Sequence, residues 1–404
     1  MSRENKTAKR KTVYRRLSAA QVVTKPARAH AQPDVTAGAI PPEDIKEPFP
    51  KIELPIQPPF PPMEAKSVAE IPAGKGWLYE PKWDGFRCLA FCSNDTVALQ
   101  SKAGQPLGRY FPELVEAFRK LPQRRFVLDG EIVVAIDGRL SFDDLLMRIH
   151  PAESRIRKLS HETPATFLAF DLLVDDITMA KTEGGTSLVD VPLAERRKHL
   201  ENFVRKLQEE ASIRLSPASS DRRQAERWMR ELAGSGFDGV VAKRLDEAYG
   251  SGERTMLKVK RMRTADCVVG GFRYASKGGE VGSLLLGLYD DGQLHHVGFT
   301  SSFRADQRKQ LKQLLKPYMG GAGFSGRAPG GPSRWSTERS GQWERLEPKL
   351  VCEIQYDHFS DGRFRHGTKF LRWRPDKAPK QCTFEQVHGG EKAGWSIQDF
   401  LRAA

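Results

Sequence analysis

The chain has 404 residues, of which 39% are hydrophobic and 29% charged, proportions typical of a globular protein long enough for two ordinary domains. No apolar run approaches the roughly 18 residues that a membrane-spanning helix needs, and no signal peptide begins the sequence, so we expect no membrane partner and a protein that stays in the compartment where it is made. The formal net charge of +14 and the pI of about 9.5 favour a polyanionic partner, with nucleic acid ahead of acidic lipid.

The first part of the chain is basic and has no sustained apolar period. Residues 1–30 contain nine Lys and Arg side chains against a single acid, Glu4. We predict a disordered basic arm over residues 1–45, which is either a solvated tail or a tether to DNA. Ten of the 26 prolines fall between Pro33 and Pro62, so this stretch is predicted to be extended and to wrap or link rather than to form a core.

From about Trp77 the sequence alternates between strand and helix patterns. Apolar residues at helical spacing predict helices at 192–211 and 221–236, and Gly234 is a suitable C-cap for the second. The mixture predicts an α+β fold with antiparallel sheets. Short β-branched or aromatic runs bounded by turn residues predict strands at 126–135, 166–174, 239–244 and 255–261.

The pattern changes after about Arg263, where closely spaced strand runs follow one another. Asp290-Asp291-Gly292 is a suitable hairpin turn between two of them. Residues 304–319 predict one amphipathic helix, and a loop rich in Gly, Pro and Ser follows at 320–333. Five or so strands and one helix in about 130 residues indicate a small β-barrel such as an OB-fold, a common platform for nucleic acids.

Cysteines and glycine-rich loops provide no recognisable site. Cys88 and Cys92 are close in sequence, but no second pair at zinc-ligand spacing follows, and reduced, mostly buried thiols are expected. Neither G-x-x-x-x-G-K-[ST] nor a G-x-G-x-x-G that opens a helix is present. A bound nucleotide would therefore be held by side chains.

Charged side chains lie on or beside the predicted strands. Asp129 and Glu131 share one strand face, as do Lys258 and Lys260, because side chains alternate with period two. Carboxylates that bind Mg²⁺ and lysines that bind phosphate suit phosphoryl transfer. Each residue by itself would more often mark a solvated face. The charged residues are Lys82, Glu131, Asp238, Lys243, Lys258 and Lys260.

The order of these residues along the chain resembles that of the ATP-dependent DNA ligases of the covalent nucleotidyltransferase superfamily. The likeness is greatest to the compact bacterial type, ligase C and the ligase domain of ligase D, and it runs from about residue 45 to 395. It implies an adenylation domain at 46–262 and an OB-fold domain at 263–404, with the arm outside. The matching motifs are EPKWDGFR (80–87), LQSKAGQPL (99–107), LDGEIV (128–133), FLAFDLL (167–173), FDGVVAKR (237–244), LKVK (257–260) and LRWRPDK (371–377).

The resemblance implies that Lys82 attacks the α-phosphorus of ATP. AMP then passes from the lysine to a 5′-phosphate at a DNA break, and the neighbouring 3′-OH displaces AMP. The nucleophile must be neutral, whereas a free lysine is almost fully protonated at pH 7. We expect burial beside Trp83, together with Lys258, Lys260 and a metal ion, to disfavour the ammonium. The implied cofactors are ATP and Mg²⁺, with Mn²⁺ as an alternative.

The resemblance also implies roles for individual residues. Glu80 would recognise the adenine edge, with Phe170 and Val241 on the two faces of the base. Glu131 would bind the ribose or a metal ion, and Asp238 would bind Mg²⁺. Phosphate contacts would come from Lys243, Arg254, Lys258 and Lys260, and Arg87 and Lys102 would contact phosphates or the nick. Arg374, Asp376 and Lys377 would act from the mobile OB-fold domain.

Two positions depart from the commonest family pattern, and a larger segment is missing. Many members carry Arg where this chain has Lys102, and Asp238 replaces the commoner Glu, which is one methylene longer. The helical DNA-binding domain of larger ligases has no counterpart, and the basic arm is a candidate substitute. The resemblance implies action on nicked or broken duplex DNA in repair or end joining in the bacterial cytosol, with a Ku-type end-binder as a candidate partner. A monomer is expected because no coiled-coil heptads appear.

Two other readings stay open at this stage. An RNA ligase or a capping guanylyltransferase shares the Lys-x-Asp-Gly motif and the barrel, although Glu80 and Phe170 favour adenine over guanine. A non-catalytic nucleic-acid-binding protein with a decayed ligase core is the second, although the motif side chains are retained.

Overall fold

The structure is a computed structural model that describes residues 48–176, 185–207, 212–231, 237–275, 279–303, 305–330, 342–388 and 400. All of these residues belong to one compact unit, Val35–Ala404. The predicted basic arm and the ends of the predicted helices 192–211 and 221–236, the second with Gly234, lie outside the described residues, as does the end of the predicted loop 320–333.

The first part of the described chain contains eleven strands and five helices. The strands are β1 (Ala65–Ser67), β2 (Trp77–Trp83), β3 (Phe86–Ser93), β4 (Thr96–Ser101), β5 (Arg125–Ile136), β6 (Arg139–Leu140), β7 (Ala165–Asp175), β8 (Thr186–Ser187), β9 (Ile213–Leu215), β10 (Phe237–Arg244) and β11 (Met256–Lys260). The helices are α1 (Pro112–Arg119), α2 (Phe142–Met147), α3 (Glu153–Glu162), α4 (Leu193–Arg205) and α5 (Arg222–Glu231). The four strands and two helices predicted here are confirmed, and α1 to α3 were not predicted.

These strands form two sheets. One has the order β1-β11-β10-β2, and the other has the order β4-β3-β5-β7-β8, with β6 beside β5 and β9 beside β7. The pairs are antiparallel, as predicted, except β1 with β11 and β7 with β9. In the first sheet β10 lies between β2 and β11, so Gly239 is opposite Lys82 on one side and Lys260 on the other.

The main core packs helices against the seven-stranded sheet. Phe118, Phe126, Phe167 and Phe203 are buried there, and their rings meet mostly edge to face. The proline-rich stretch also contributes to a core, contrary to the prediction. Ile52, Leu54 and Met63 are buried against β3 and β7, because in extended chain every second side chain faces the sheet.

The second part is a barrel-like sheet with one main helix. Its order is β14-β13-β12-β16-β19, and a bridge between Thr300 and Thr368 joins the two edge strands. Asp291 and Gly292 have positive φ, as the predicted hairpin turn requires. The elements are β12 (Arg263–Tyr274), β13 (Val281–Asp290), β14 (Gln293–Thr300), α6 (Ala305–Leu315), β15 (Glu344–Arg345), β16 (Val351–Tyr356), β17 (Phe359–Ser360), β18 (Arg363–Phe364), β19 (Lys369–Trp373) and α7 (Glu385–His388).

The architecture confirms the predicted α+β class and the predicted small C-terminal barrel. The predicted helix 304–319 is α6 followed by a short 3₁₀ turn at Lys316–Tyr318. None of the helices in the described part of the chain has the length and apolarity that crossing a bilayer requires. All five cysteines are buried and free, as expected.

Candidate active site

Lys82 and Asp238 form the centre of a charged cleft. Lys82 projects from β2 and Asp238 from the neighbouring β10, and Lys82 Nζ donates to Asp238 Oδ2 at 2.8 Å. The Lys82 side chain is 21% exposed, so part of it remains open to solvent. The sheet register therefore joins two motifs that are 156 residues apart in the chain.

The charge state of Lys82 differs from the prediction. Burial favours the neutral amine, but the carboxylates of Asp238, Asp84 and Glu131 outweigh it and raise the pKa of Lys82 above its ordinary value. The expectation that burial and neighbouring cations disfavour the ammonium is therefore wrong for this structure. The charges that act on this amine are the carboxylates of Asp238, Asp84 and Glu131, and one of the expected cations, Lys260, is itself paired with an acid, Asp357.

Asp238 has the matching perturbation. Its burial raises the carboxyl pKa, but the Lys82 ammonium and His358 more than reverse this and hold the pKa of Asp238 well below its usual range. The pair is therefore ionised on both sides at neutral pH.

Glu80 is the centre of a second, buried polar cluster, here called the Glu80 pocket, which also contains Lys243 and Arg197. It is 2% exposed, and its Oε2 pairs with Lys243 Nζ at 2.7 Å. Its Oε1 is buried and has no hydrogen-bond partner among the described residues, and Arg197 Nη1, also buried without a partner, lies 3.9 Å away. A buried carboxylate oxygen without a donor is a costly arrangement that a ligand with an N–H group would relieve.

Arg87 and Phe170 line the side of this pocket. Arg87 is bidentate to the buried Asp129, with both N–O distances 2.5 Å, and Tyr249 donates to the same carboxylate at 2.6 Å. The Arg87 guanidinium lies 4.5 Å from the centre of the Phe170 ring, and Lys243 Nζ lies at the same distance. The aromatic ring is therefore a surface on which planar or cationic groups stack.

Glu131 is held close to the Lys82 turn by a tight backbone approach. The Gly85 N–H donates to Glu131 Oε1 at 3.2 Å. A side chain at Gly85 would place its Cβ 2.2 Å from the Ile132 carbonyl oxygen, so only glycine fits between β3 and β5 here.

Several predicted residues have their contacts elsewhere. Lys102 and Arg254 both pair with Glu64, at 3.9 and 3.1 Å, and form a separate basic pair beside the cleft. Arg374 pairs with Asp266 and Asp376, and Lys377 also pairs with Asp266, so these contacts lie within the barrel. Lys258 lies opposite Val241 in the register of β10 and β11, and both are half-buried.

A hairpin of the barrel reaches the cleft, which the sequence did not suggest. This cleft hairpin, residues 357–366, contains β17 and β18. Asp357 pairs with Lys260 at 2.5 Å, and both carboxylate oxygens of Asp84 accept from Arg365 Nη1 at 2.7 Å. His358 Nδ1 lies 3.8 Å from Asp84 and 3.7 Å from Asp238. The sequence signal was Asp361-Gly362, a hairpin turn between aromatic residues.

Comparison with known proteins identifies the family. The model of the ATP dependent DNA ligase domain matches residues 62–260, and the model of the ATP dependent DNA ligase C terminal region matches residues 277–377. The chain is 44% identical to DNA ligase C1 of Mycolicibacterium smegmatis and 42% identical to DNA ligase C of Mycobacterium tuberculosis, each alignment covering 83% of this chain and 96% of the relative. The chain belongs to the ATP-dependent DNA ligases. It is also 30% identical, over 79% of its length, to the multifunctional non-homologous end joining DNA repair protein LigD of Mycobacterium tuberculosis, of which it covers 39%.

The chain is therefore a DNA ligase enzyme that uses ATP, which sets aside the RNA ligase and capping-enzyme readings. The site fits that nucleotide, because the Glu80 pocket offers an unpaired buried acceptor beside an aromatic ring. It also fits a divalent cation. Among the described residues, ligand atoms of Asp84, Asp238 and His358 lie within 4.8 Å of one another, and oxygen donors predominate.

Proposed function

We propose that this DNA ligase seals 5′-phosphate/3′-OH breaks in duplex DNA and that Lys82 is the residue that carries AMP. The observation that supports the assignment is the position of Lys82. Its side chain is partly exposed, it lies two residues from Glu80 on β2, and Gly239 of β10 separates it from Lys260 of β11 in the sheet register. A nucleophile there can reach a phosphate while the base is held behind it.

The chemistry proceeds in three transfers. The Lys82 ammonium gives a proton to solvent, its nitrogen bonds to the α-phosphorus of ATP, and the bond to pyrophosphate breaks. The nitrogen then loses a second proton to solvent, which leaves the phosphoramidate. The 5′-phosphate of the DNA break then displaces the lysine from phosphorus and takes up AMP. Finally the 3′-OH attacks the 5′-phosphorus, AMP leaves, and the strand is continuous.

The other residues hold the nucleotide. Glu80 would accept a hydrogen bond from the base, with Lys243 fixing its second oxygen, and Phe170 and Val241 would enclose the ring.

The cations Arg87, Lys258 and Lys260 would face phosphate oxygens and stabilise the charge that develops on them. Lys102 and Arg254 would contact the outer phosphates or the DNA, and Arg374 and Lys377 would contribute after a movement of the barrel.

A magnesium ion, or manganese in its place, would be held by Asp238 with Glu131, and Asp84 of the cluster described above would be a further oxygen ligand. Bound there, it would neutralise phosphate charge and polarise the phosphoryl oxygen under attack. The ion would compete with the Lys82 ammonium for the Asp238 carboxylate, which accepts from Lys82 through Oδ2. The Asp238 pair is thus a resting arrangement of the nucleophile.

We also propose a setting for the enzyme. The similarity to LigD supports DNA repair or end joining in the bacterial cytosol, with a Ku-type end-binding protein as a partner. The two separate sheet systems support an adenylation domain at 46–262 and an OB-fold domain at 263–404. The chain would act as a monomer, with its basic arm at 1–45 contributing to DNA affinity.

Transfer of label from ATP to the protein tests the central assignment. The protein is incubated with α-labelled ATP and Mg²⁺ and analysed on a denaturing gel. We expect label on the wild type and none on Lys82→Ala or Lys82→Arg, because neither variant offers the same amine in the same place. Lys75→Ala, an exposed lysine outside the cleft, is the matched control and should label normally.

Two outcomes would overturn the assignment. Label that persists in Lys82→Ala would place AMP on another residue, and no label on the wild type would favour a decayed core. A ligation assay on nicked DNA and nicked RNA then tests the proposed duplex DNA substrate.

A further inference from the structure

Helix α4 places an arginine behind the proposed base pocket. Arg197, in the second turn of α4, has a side chain that is 8% exposed. Its Nε donates to Glu201 at 2.8 Å and its Nη2 donates to the carbonyl of Ser216 at 2.9 Å. The hydroxyl of Ser216 in turn accepts from Trp83 Nε1, next to Lys82, at 2.9 Å. Arg197 is therefore fixed at two of its three nitrogens and is not part of any motif discussed above.

The third nitrogen of Arg197 faces Glu80. The distance from Nη1 to Glu80 Oε1 is 3.9 Å, and neither atom has a hydrogen-bond partner in the part of the chain that the structure describes. The two are too far apart to bond to each other, yet close enough for their charges to attract. Lys243 holds the other oxygen, Oε2, at 2.7 Å. Glu80 is thus flanked by two buried cations, one on each oxygen, which together set the plane of its carboxylate.

We propose that Arg197 is a positioning residue that aims Glu80 at the nucleobase and thereby sets the preference for a 6-amino purine. This rests on the proposed function, in which Glu80 contacts the base. A 6-amino group would donate an N–H to the free oxygen Oε1. A 6-oxo purine would present a lone pair to it, and a purine with no 6-substituent would leave the oxygen unpaired in a buried site.

If Arg197 had a purely structural role, its replacement would have a different effect on the adenylation rates. In that case the contacts to Glu201 and Ser216 merely tie α4 to the sheet. Its replacement would then lower the melting temperature but would slow adenylation equally with every nucleotide. The ratio of rates with two nucleotides separates the roles, because a general loss of folded protein cancels in the ratio.

The experiment measures second-order adenylation rates with ATP, GTP and purine riboside triphosphate, which lacks the 6-amino group. We expect Arg197→Met to reduce the preference for ATP over purine riboside triphosphate by about tenfold or more. Arg197→Lys should restore part of the preference, because it keeps a buried cation near Oε1. Arg205→Met is the matched control, since Arg205 is an exposed arginine of the same helix that contacts only Asn202 among the described residues.

A variant of Glu80 separates the positioning role of Arg197 from the base-reading role of Glu80. Glu80→Ala is measured in parallel and should lose the preference outright. If Glu80→Ala loses it and both Arg197 variants retain it, the inference is overturned while the base-reading role of Glu80 stands. If the wild type itself shows no preference, Glu80 does not read the base and both fail, whereas the label on Lys82 still tests the ligase chemistry. Arg197→Lys gives the answer if Arg197→Met does not fold.

Discussion

At the scale of single residues, the Lys82–Asp238 pair leads to a pH dependence. Because the pKa of Lys82 is raised, only a small fraction of its amine is neutral at pH 7. The second-order rate constant for adenylation depends on the ionisation of the free enzyme, so it reports this fraction. Adenylation at low ATP should therefore rise about tenfold per pH unit between about pH 6.5 and 8.5. The Asp238→Asn variant lacks one of the carboxylates that stabilise the protonated form of Lys82. We expect the pH profile to shift to lower pH, although the absolute rate also falls because Asp238 is a proposed metal ligand.

Protein stability should not follow this profile. A raised lysine pKa stabilises the fold at every pH below the unfolded pKa and is lost only as the pH rises through the folded value. The pair therefore contributes equally to the melting temperature across the range of the assay. Asp246→Asn, a change at an exposed carboxylate beyond the end of β10, is the control and should keep the wild-type profile. An unchanged profile in Asp238→Asn would contradict the role given to the pair.

The sequence could predict the residue types of the site but not their charge states. Lys82, Glu80 and Asp238 were found because the motif spacing is local. The pKa of Lys82 depends on Asp238, which lies 156 residues further along the chain, and on how near each carboxylate comes to the amine. Such distances follow from strand register and side-chain conformation, which a one-dimensional pattern does not contain.

At the scale of secondary-structure elements, Gly239 decides how closely β10 and β11 pack. Its φ is +150°, and an added Cβ would lie 2.0 Å from the Val259 carbonyl oxygen, which is backbone and has no room to move away. Gly239→Ala should destabilise the protein by about 3 kcal/mol or more and should disturb Lys260, the register partner of Gly239. Urea unfolding and the adenylation rate measure the two effects.

A second glycine provides the control for this substitution. Gly74 also has a positive φ, +101°, but no atom of the described residues lies within 4 Å of an added Cβ. Gly74→Ala should therefore cost only the backbone strain, about 1 kcal/mol. Equal costs for the two variants would show that the approach of β11 is not the limiting feature.

Element prediction succeeded where the pattern was strong and failed where it was weak. The runs at 126–135 and 166–174 are long and apolar, and they became β5 and β7. The stretch around Ile52 and Leu54 was read as a linker because proline dominates its composition. Proline excludes helix but not extended chain, and extended chain buries alternate residues when a sheet face is available.

At the scale of the whole molecule, the two lobes were predictable but their contact was not. The ion pair of Asp84 with Arg365 joins residues 281 apart in the chain, and the cleft hairpin has no counterpart in the motifs. Burial would raise the pKa of Asp357, but His366 and Lys260 lower it instead, so Asp357 remains an anion beside Lys260. The barrel therefore pairs its own charges with those that the proposed phosphate site needs.

This contact predicts competition between the cleft hairpin and ATP. The Lys260 ammonium interacts less strongly with a phosphate group while it is also paired with Asp357. Asp357→Asn should therefore lower the ATP concentration for half-maximal adenylation by up to about fivefold, the equivalent of roughly 1 kcal/mol for a partly exposed pair. Raising the ionic strength should reduce the difference between variant and wild type, because salt screens the pair that the variant lacks.

The same hairpin contains the control. Asp361 occupies the exposed turn with φ +47°, a conformation that asparagine adopts readily, so Asp361→Asn removes one charge without touching Lys260. If both variants shift the ATP dependence equally, the effect is general electrostatics. If Asp357→Asn weakens ATP use, the hairpin assists nucleotide binding rather than competing with it. Only a shift confined to Asp357→Asn and lost in high salt fits a barrel that must withdraw its hairpin before the nucleotide phosphates can take Lys260.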